Sequence, residues 1–103
     1  MTNKSQFLEI YSVYILKCRD KTYYTGITSE LWERIEQHQS GKHKNSYTYS
    51  RRPIELVYYC EFTEPDLAIE FEKKIKNWSQ VKKEALISGK YEKLPNLAKK
   101  RFK

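Results

Sequence analysis

The chain is predicted to fold as an α+β protein: a three-stranded antiparallel sheet flanked by helices, in the order β-β-α-β-α-α. Three observations support this. Segments 10–18 and 22–27 are rich in β-branched and aromatic residues, and Arg19-Asp20-Lys21 between them is a polar break of hairpin length. A third such run, 54–62, lies between two stretches whose apolar residues recur at helical spacing. With 103 residues the chain suits one domain. At that size it buries about two-thirds of its unfolded surface, enough for one core and no second lobe.

Ile10, Tyr11, Val13, Tyr14 and Ile15 mark the first strand, and Thr22 to Ile27, closed by Gly26, the second. The turn lacks Asn-Gly or Asp-Gly, which leaves its type and the register open. The parity of Tyr14 and Tyr24 allows both on one face, roughly opposite one another. Thr28 or Ser29 is expected to cap the first helix, with Glu30 and Glu33 in its first turns. Leu31, Ile35 and His38 recur along that helix, and Gly41 ends it. Residues 41–52, G-K-H-K-N-S-Y-T-Y-S-R-R, form a polar, basic loop stopped by Pro53.

Thr63 is expected to cap the second helix, with Pro65 in its first turn and Ala68, Phe71, Ile75 and Trp78 on its apolar face. Ser79 caps a third helix, 80–88, with Val81, Ala85 and Leu86 turned inward and Gly89 at its end. The tail, 90–103, sets Leu94, Leu97 and Phe102 among five Lys and one Arg, as a short surface helix or a loose segment.

Twenty Lys+Arg against thirteen Asp+Glu give a net charge of +7, which favours a polyanionic partner. Nucleic acid stands ahead of an acidic membrane surface, and a charge kept only for solubility is the alternative. Hydrophobic content of 39% and aromatic content of 15% exclude a disordered chain despite 32% charged residues. Cys18 and Cys60 form neither a disulfide framework nor a metal quartet; buried, reduced thiols are expected. Residues 1–5 are polar with no apolar signal core behind them, and no run approaches a membrane span, so a cytoplasmic protein is expected.

Glu72 is the sharpest anomaly, a carboxylate on the edge of an apolar helical stripe. Buried, it needs a partner, and a divalent cation is one. Exposed, it would pair with Lys76 four residues on, which is worth only tenths of a kcal/mol; spacing does not choose between the two. Glu70 points more toward solvent. Arg34 and His38, four apart, share one side of a helix. Arg34 suits a phosphate, and His38 suits a proton relay; a solvated arginine and a helix-end histidine are the plain alternatives. A free phenol ionises near pH 10, so forming a phenolate of Tyr14 or Tyr24 at pH 7 costs about 4 kcal/mol unless a cation offsets it. In the loop, Lys42, Lys44, Arg51 and Arg52 can grip phosphates while Tyr47 and Tyr49 stack on bases, against an ordinary solvated loop.

Taken together, V-Y-I at 13–15, Y-T-G at 24–26, L-W-E-R-I-E-Q-H at 31–38, S-G-K at 40–42, R-R-P-I-E-L-V-Y at 51–58 and A-I-E-F-E-K-K-I-K at 68–76 follow a known order. The chain resembles the GIY-YIG nuclease superfamily, in particular its small stand-alone bacterial single-domain (UPF0213-like) type, over residues 11 to 88. That resemblance implies a three-stranded sheet with helices and phosphodiester hydrolysis with one divalent ion, Mg²⁺ or Mn²⁺. By position it makes Tyr14, Tyr24, Arg34 and His38 catalytic and Glu72 the metal ligand. Tyr14 would take the proton of the attacking water directly or through a relay. Tyr24 and His38 would orient water or phosphate, and Arg34 would neutralise transition-state charge. Val13 stands where the family's first glycine is found, and Thr25 where isoleucine is found. Larger members carry a further DNA-binding domain; here one domain over 1–103 is expected, with a basic tail.

The expected function is a metal-dependent DNA endonuclease, with DNA repair or recombination as its setting. A nucleic-acid-binding module with weak or lost catalysis is the alternative, and an adaptor for an acidic protein is a third.

Overall fold

A computed structural model describes residues 9–89; the expectations for residues 1–5 and for the tail fall outside them. The elements are β1 (Tyr11–Lys17), β2 (Tyr23–Thr28), α1 (Leu31–Ser40), a single 3₁₀ turn (Tyr49–Arg51), β3 (Glu55–Phe62), α2 (Pro65–Lys76) and α3 (Gln80–Ile87). The sheet order is β2-β1-β3 with both pairings antiparallel, so β1 is central. This is the predicted architecture.

Period-two alternation divides β1 between two apolar clusters. Val13 and Ile15 pack with Ala68, Ile75 and Leu86 on the side of α2 and α3. Tyr14 and Leu16 pack with Cys18, Leu31 and Ile54 on the side of α1. Both faces are covered, which is why all five residues from Ser12 to Leu16 are buried. Cys18 is buried just past β1, Cys60 is half-buried within β3, and the two are not joined in a disulfide.

The hairpin turn closes without glycine. Lys21 takes the left-handed conformation at φ 74°, and Asp20 Oδ1 accepts from both the backbone N–H and the hydroxyl of Thr22, at 3.1 and 2.6 Å. An Asx-type bond thus replaces the usual Asn-Gly chemistry. The resulting register pairs Tyr14 with Gly26 and Leu16 with Tyr24. The two tyrosines share a face as expected, but they are diagonal neighbours and not directly opposite.

Several helix details differ from expectation. The N-cap of α1 is Glu30; Thr28 instead accepts from the Glu30 N–H at 2.9 Å one step earlier. The N-cap of α2 is Glu64 and not Thr63, with Pro65 at its first position. Ser79 caps α3 as predicted, accepting from the Lys82 N–H at 3.3 Å. Val81, expected inward, is 74% exposed, whereas Lys83 is 9% and Leu86 3% exposed. Once Leu86 faces the core, residue 83 three positions earlier shares its side and residue 81 lies well round the helix. Gly41 ends α1 in the left-handed conformation at φ 76°. Just before it, Gln39 grips the approach to β3 twice: its Nε2 donates to the Ile54 carbonyl at 2.8 Å, and its Oε1 accepts from the Ile54 N–H at 3.0 Å.

Candidate active site

The site begins at Tyr14 on the central strand. Its phenol lies over Gly26, its cross-strand partner: a Cβ at position 26 would stand 2.5 Å from the hydroxyl oxygen. The glycine of Y-T-G therefore makes room for the tyrosine of V-Y-I. Tyr14 is fully buried, and its hydroxyl lies 3.1 Å from His38 Nε2. Burial chiefly, then the neighbouring Tyr24 and the charge of Glu72, push its pKa well above the ordinary phenol value; the Arg34 guanidinium pulls the other way. Three of the other predicted groups thus act electrostatically on one phenol, and the fourth, His38, is bonded to it.

His38 is 8% exposed. Burial, the Arg34 charge and His43 hold its pKa below the ordinary histidine value, so it is neutral at neutral pH. That argues against a simple helix-end cation. Its Nδ1 lies 2.8 Å from the hydroxyl of Thr48, which is fully buried and 3.2 Å from the Ser46 hydroxyl. The chain Tyr14–His38–Thr48–Ser46 is a continuous line of polar atoms that runs from the buried central strand to the half-buried Ser46. Thr48 and Ser46 were missed by sequence reasoning, because the loop that holds them gives no periodic signal. The hint was a small hydroxyl residue set between two aromatics, Tyr47 and Tyr49.

Tyr24 adds a half-buried ring on the open side, with its centroid 5.0 Å from that of His38 and 6.3 Å from that of Tyr14. Tyr47 stacks on it at 6.2 Å with 23° between the planes. The predicted basic loop is therefore folded onto the site. Arg51 lies 3.8 Å over the Tyr47 ring, donates to the Tyr47 carbonyl at 2.7 Å and pairs with Asp20 at 3.1 Å. Arg52 lies 4.6 Å over the Tyr49 ring and donates to the carbonyls of Tyr49 and Gln39 at 2.8 and 3.3 Å. Both arginines brace the loop, while Lys42 and Lys44 are exposed and Tyr47 is 40% exposed.

Glu72 combines features of both expectations. Its side chain is only 12% exposed, yet Lys76 Nζ lies 3.7 Å from Oε2. That distance gives a weak pair with a solvated lysine. Among the described residues no cluster of three or more His, Cys, Asp or Glu is present. A single carboxylate fits Mg²⁺ or Mn²⁺, hard ions that keep water and take phosphate oxygens, better than the closed N/S cage of a structural zinc.

Residues 10–85 match the GIY-YIG catalytic domain. The chain belongs to the GIY-YIG family. Among GIY-YIG relatives, a UPF0213 protein of Syntrophus aciditrophicus is 40% identical over 82 residues, covering 80% of this chain and 94% of that protein. UPF0213 protein BH0048 of Halalkalibacterium halodurans is 40% identical over 89 residues, covering 84% and 94%. UPF0213 protein YazA of Bacillus subtilis is 36% identical over 90 residues, covering 81% and 90%. The solution NMR structure of BH0048 superposes with a TM-score of 0.52 at 41% identity, covering 79% of this chain and 85% of that one. Membership makes a nuclease-type activity the family's indication for this GIY-YIG chain. No helix among the described residues is long and apolar enough to cross a membrane.

Proposed function

We propose that the protein is a divalent-metal-dependent endonuclease that hydrolyses phosphodiester bonds in DNA, in the cytoplasm, with DNA repair or recombination as its setting. The observation that carries this is the buried line from Tyr14 through His38 to Thr48, with Arg34 and Glu72 acting on the same phenol. A purely structural buried tyrosine needs one hydrogen-bond partner, and neither the continuation to Thr48 nor the two charges.

In this mechanism Nδ1–H of His38 donates to the Thr48 hydroxyl, which leaves Nε2 free to accept from Tyr14. Tyr14 stays a neutral phenol until reaction. As the attacking water gives its proton to the phenol oxygen, Tyr14 passes its own proton to His38 Nε2. Ionising Tyr14 outright would be far costlier, since burial opposes the phenolate. The burial that keeps His38 neutral also makes the imidazolium short-lived, so the proton moves on to the leaving oxygen or to solvent. Arg34 neutralises charge growing on the phosphoryl oxygens; a preorganised donor of this kind contributes about 3 kcal/mol. Tyr24 holds the water or the phosphate from the open side. Glu72 would hold Mg²⁺ or Mn²⁺, which when bound acts as a Lewis acid on the phosphate and the leaving oxygen. Lys42, Lys44 and the outer face of Tyr47 grip the strand, while Tyr49, Arg51 and Arg52 set the loop that presents them.

The test is cleavage of supercoiled and branched DNA with Mn²⁺, comparing wild type with Glu72→Ala. Cutting by wild type, lost in the variant while DNA affinity in EDTA is retained, supports the proposal. Binding by both with cutting by neither overturns it in favour of the binding module.

A further inference from the structure

An open groove of about 370 Å³ runs along the outer edge of β2, lined by Tyr23, Tyr24, Thr25, Tyr47, Lys76 and Lys83. Tyr24 and Tyr47 also belong to the candidate site, so the two are continuous. Three features of the groove are unexplained by packing. Lys83 is only 9% exposed, yet among the described residues no ion pair reaches it. Its stem is buried while its ammonium reaches solvent, so a charge without a counter-ion among the described residues stands in the groove. Burial and the nearby Lys76 ammonium both press the pKa of Lys83 down, so two like charges face the groove, of which, among the described residues, Lys76 alone has a carboxylate, Glu72, beside it at 3.7 Å. Finally, Thr25 is 3% exposed and its hydroxyl has no hydrogen-bond partner. A buried hydroxyl left unpaired costs about 1–3 kcal/mol.

We infer that this groove is a second phosphate subsite, which takes the backbone phosphate one nucleotide away from the bond being cut. The inference rests on the nuclease proposal above for the identity of the strand. Lys83 supplies the charge at the base of the groove and Lys76 at its mouth, where its side chain is 61% exposed. Tyr47 and Tyr24 form the wall toward the reacting phosphate, so a strand leaving the site passes directly into the groove. Among the described residues two carboxylates border the groove and both are engaged: Glu84 Oε2 accepts from the Tyr23 hydroxyl and from Gln80 Nε2, each at 3.3 Å, and Glu72 Oε2 lies 3.7 Å from Lys76 Nζ. The volume suits one sugar-phosphate unit, at the small end of ligand pockets.

The experiment is a salt series of DNA binding, followed by fluorescence anisotropy in EDTA so that no cutting occurs. Lys83→Met removes the charge but keeps the apolar stem, and thermal unfolding checks that the variant folds. The slope of log affinity against log salt is expected to become shallower by about 0.7–0.9, the loss of one phosphate contact. Lys83→Arg should restore it. Lys82→Met, on the same helix but outside the groove, should leave it unchanged. If Lys83→Met is unfolded, Lys83→Gln carries the same expectation. An unchanged slope at position 83, or equal losses at 82 and 83, overturns the subsite, the latter by revealing a diffuse charge effect. Cleavage that depends on Glu72 can succeed while this test fails, and the reverse, so the two proposals fall separately.

Discussion

The two faces of β1 are built from alternate residues of one strand and are both lined by apolar clusters, but at Tyr14 they differ in chemistry. Val13 and Ile15 meet Ala68, Ile75 and Leu86 in a cluster of apolar side chains. Tyr14, one residue away from each, meets an imidazole, a guanidinium's charge and a carboxylate's charge. Burial is as complete on one face as on the other. On the proposed function, stability and reactivity are separated by a single step along the backbone, and a substitution should reveal its face by what it damages.

The sharpest separation should come from Tyr14→Phe. Cleavage is expected to fall by about 10²–10⁴-fold, the range of a lost proton-transfer group. The fold should lose only about 1 kcal/mol, for the hydrogen bond to His38. A loss of stability equal to the loss of rate would mean that the faces are not distinct. Next in size, Ile15→Ala should cost about 2–5 kcal/mol in urea unfolding, while turnover per folded molecule stays within about twofold. Poor turnover in a well-folded Ile15→Ala protein would show that the apolar face also tunes the site.

A smaller effect is expected beyond the imidazole. Thr48→Val should lower kcat by about 10-fold with KM unchanged, by freeing the His38 ring to turn or to take the other tautomer, and Thr48→Ser should recover most of it. An equal deficit in Thr48→Ser would point to packing and not to the hydroxyl.

The smallest expected effect is the pH dependence. His38 is held below the ordinary histidine value of 6.5. As pH falls through 6.5 the unfolded chain takes up a proton that the fold resists, so stability declines there, and His38→Gln should flatten that decline in urea midpoints on either side of this pH. The rate should hold at pH 6.5 and fall only below it. Raising the pH to 9 should bring no gain, because the Tyr14 phenol is held above its usual value of 10.

Much of this was legible in the order of residues. The strands stood out because β-branched and aromatic side chains cluster there, and the shared face of Tyr14 and Tyr24 follows from parity alone. Register did not, because the turn is closed by Asp20 and a left-handed Lys21 and not by a recognisable glycine pair. Glu72 was visible as an acid beside an apolar stripe, but its partial burial and its pairing with Lys76 depend on tertiary packing. Val81 misled because a helix of 8 residues is too short for its apolar positions to fix a face. Thr48 was hidden for a different reason. Its value comes from a contact across ten positions, inside a segment whose polar composition reads as solvated.

The double grip of Gln39 on Ile54 gives that segment a particular freedom. It knots residues 39 and 54 together, so the chain between them is a lasso whose neck is fixed one residue beyond His38. Residues 42–45 lie at the exposed end of the loop, ahead of the Ser46–Thr48 stretch that touches the histidine. Lengthening or recolouring that tip leaves the knot undisturbed, as exposed loop tips generally allow. Under the proposed function, variation at 42, 44 and 45 would change which polymer is caught without retuning how it is cut, whereas His43 also acts on His38.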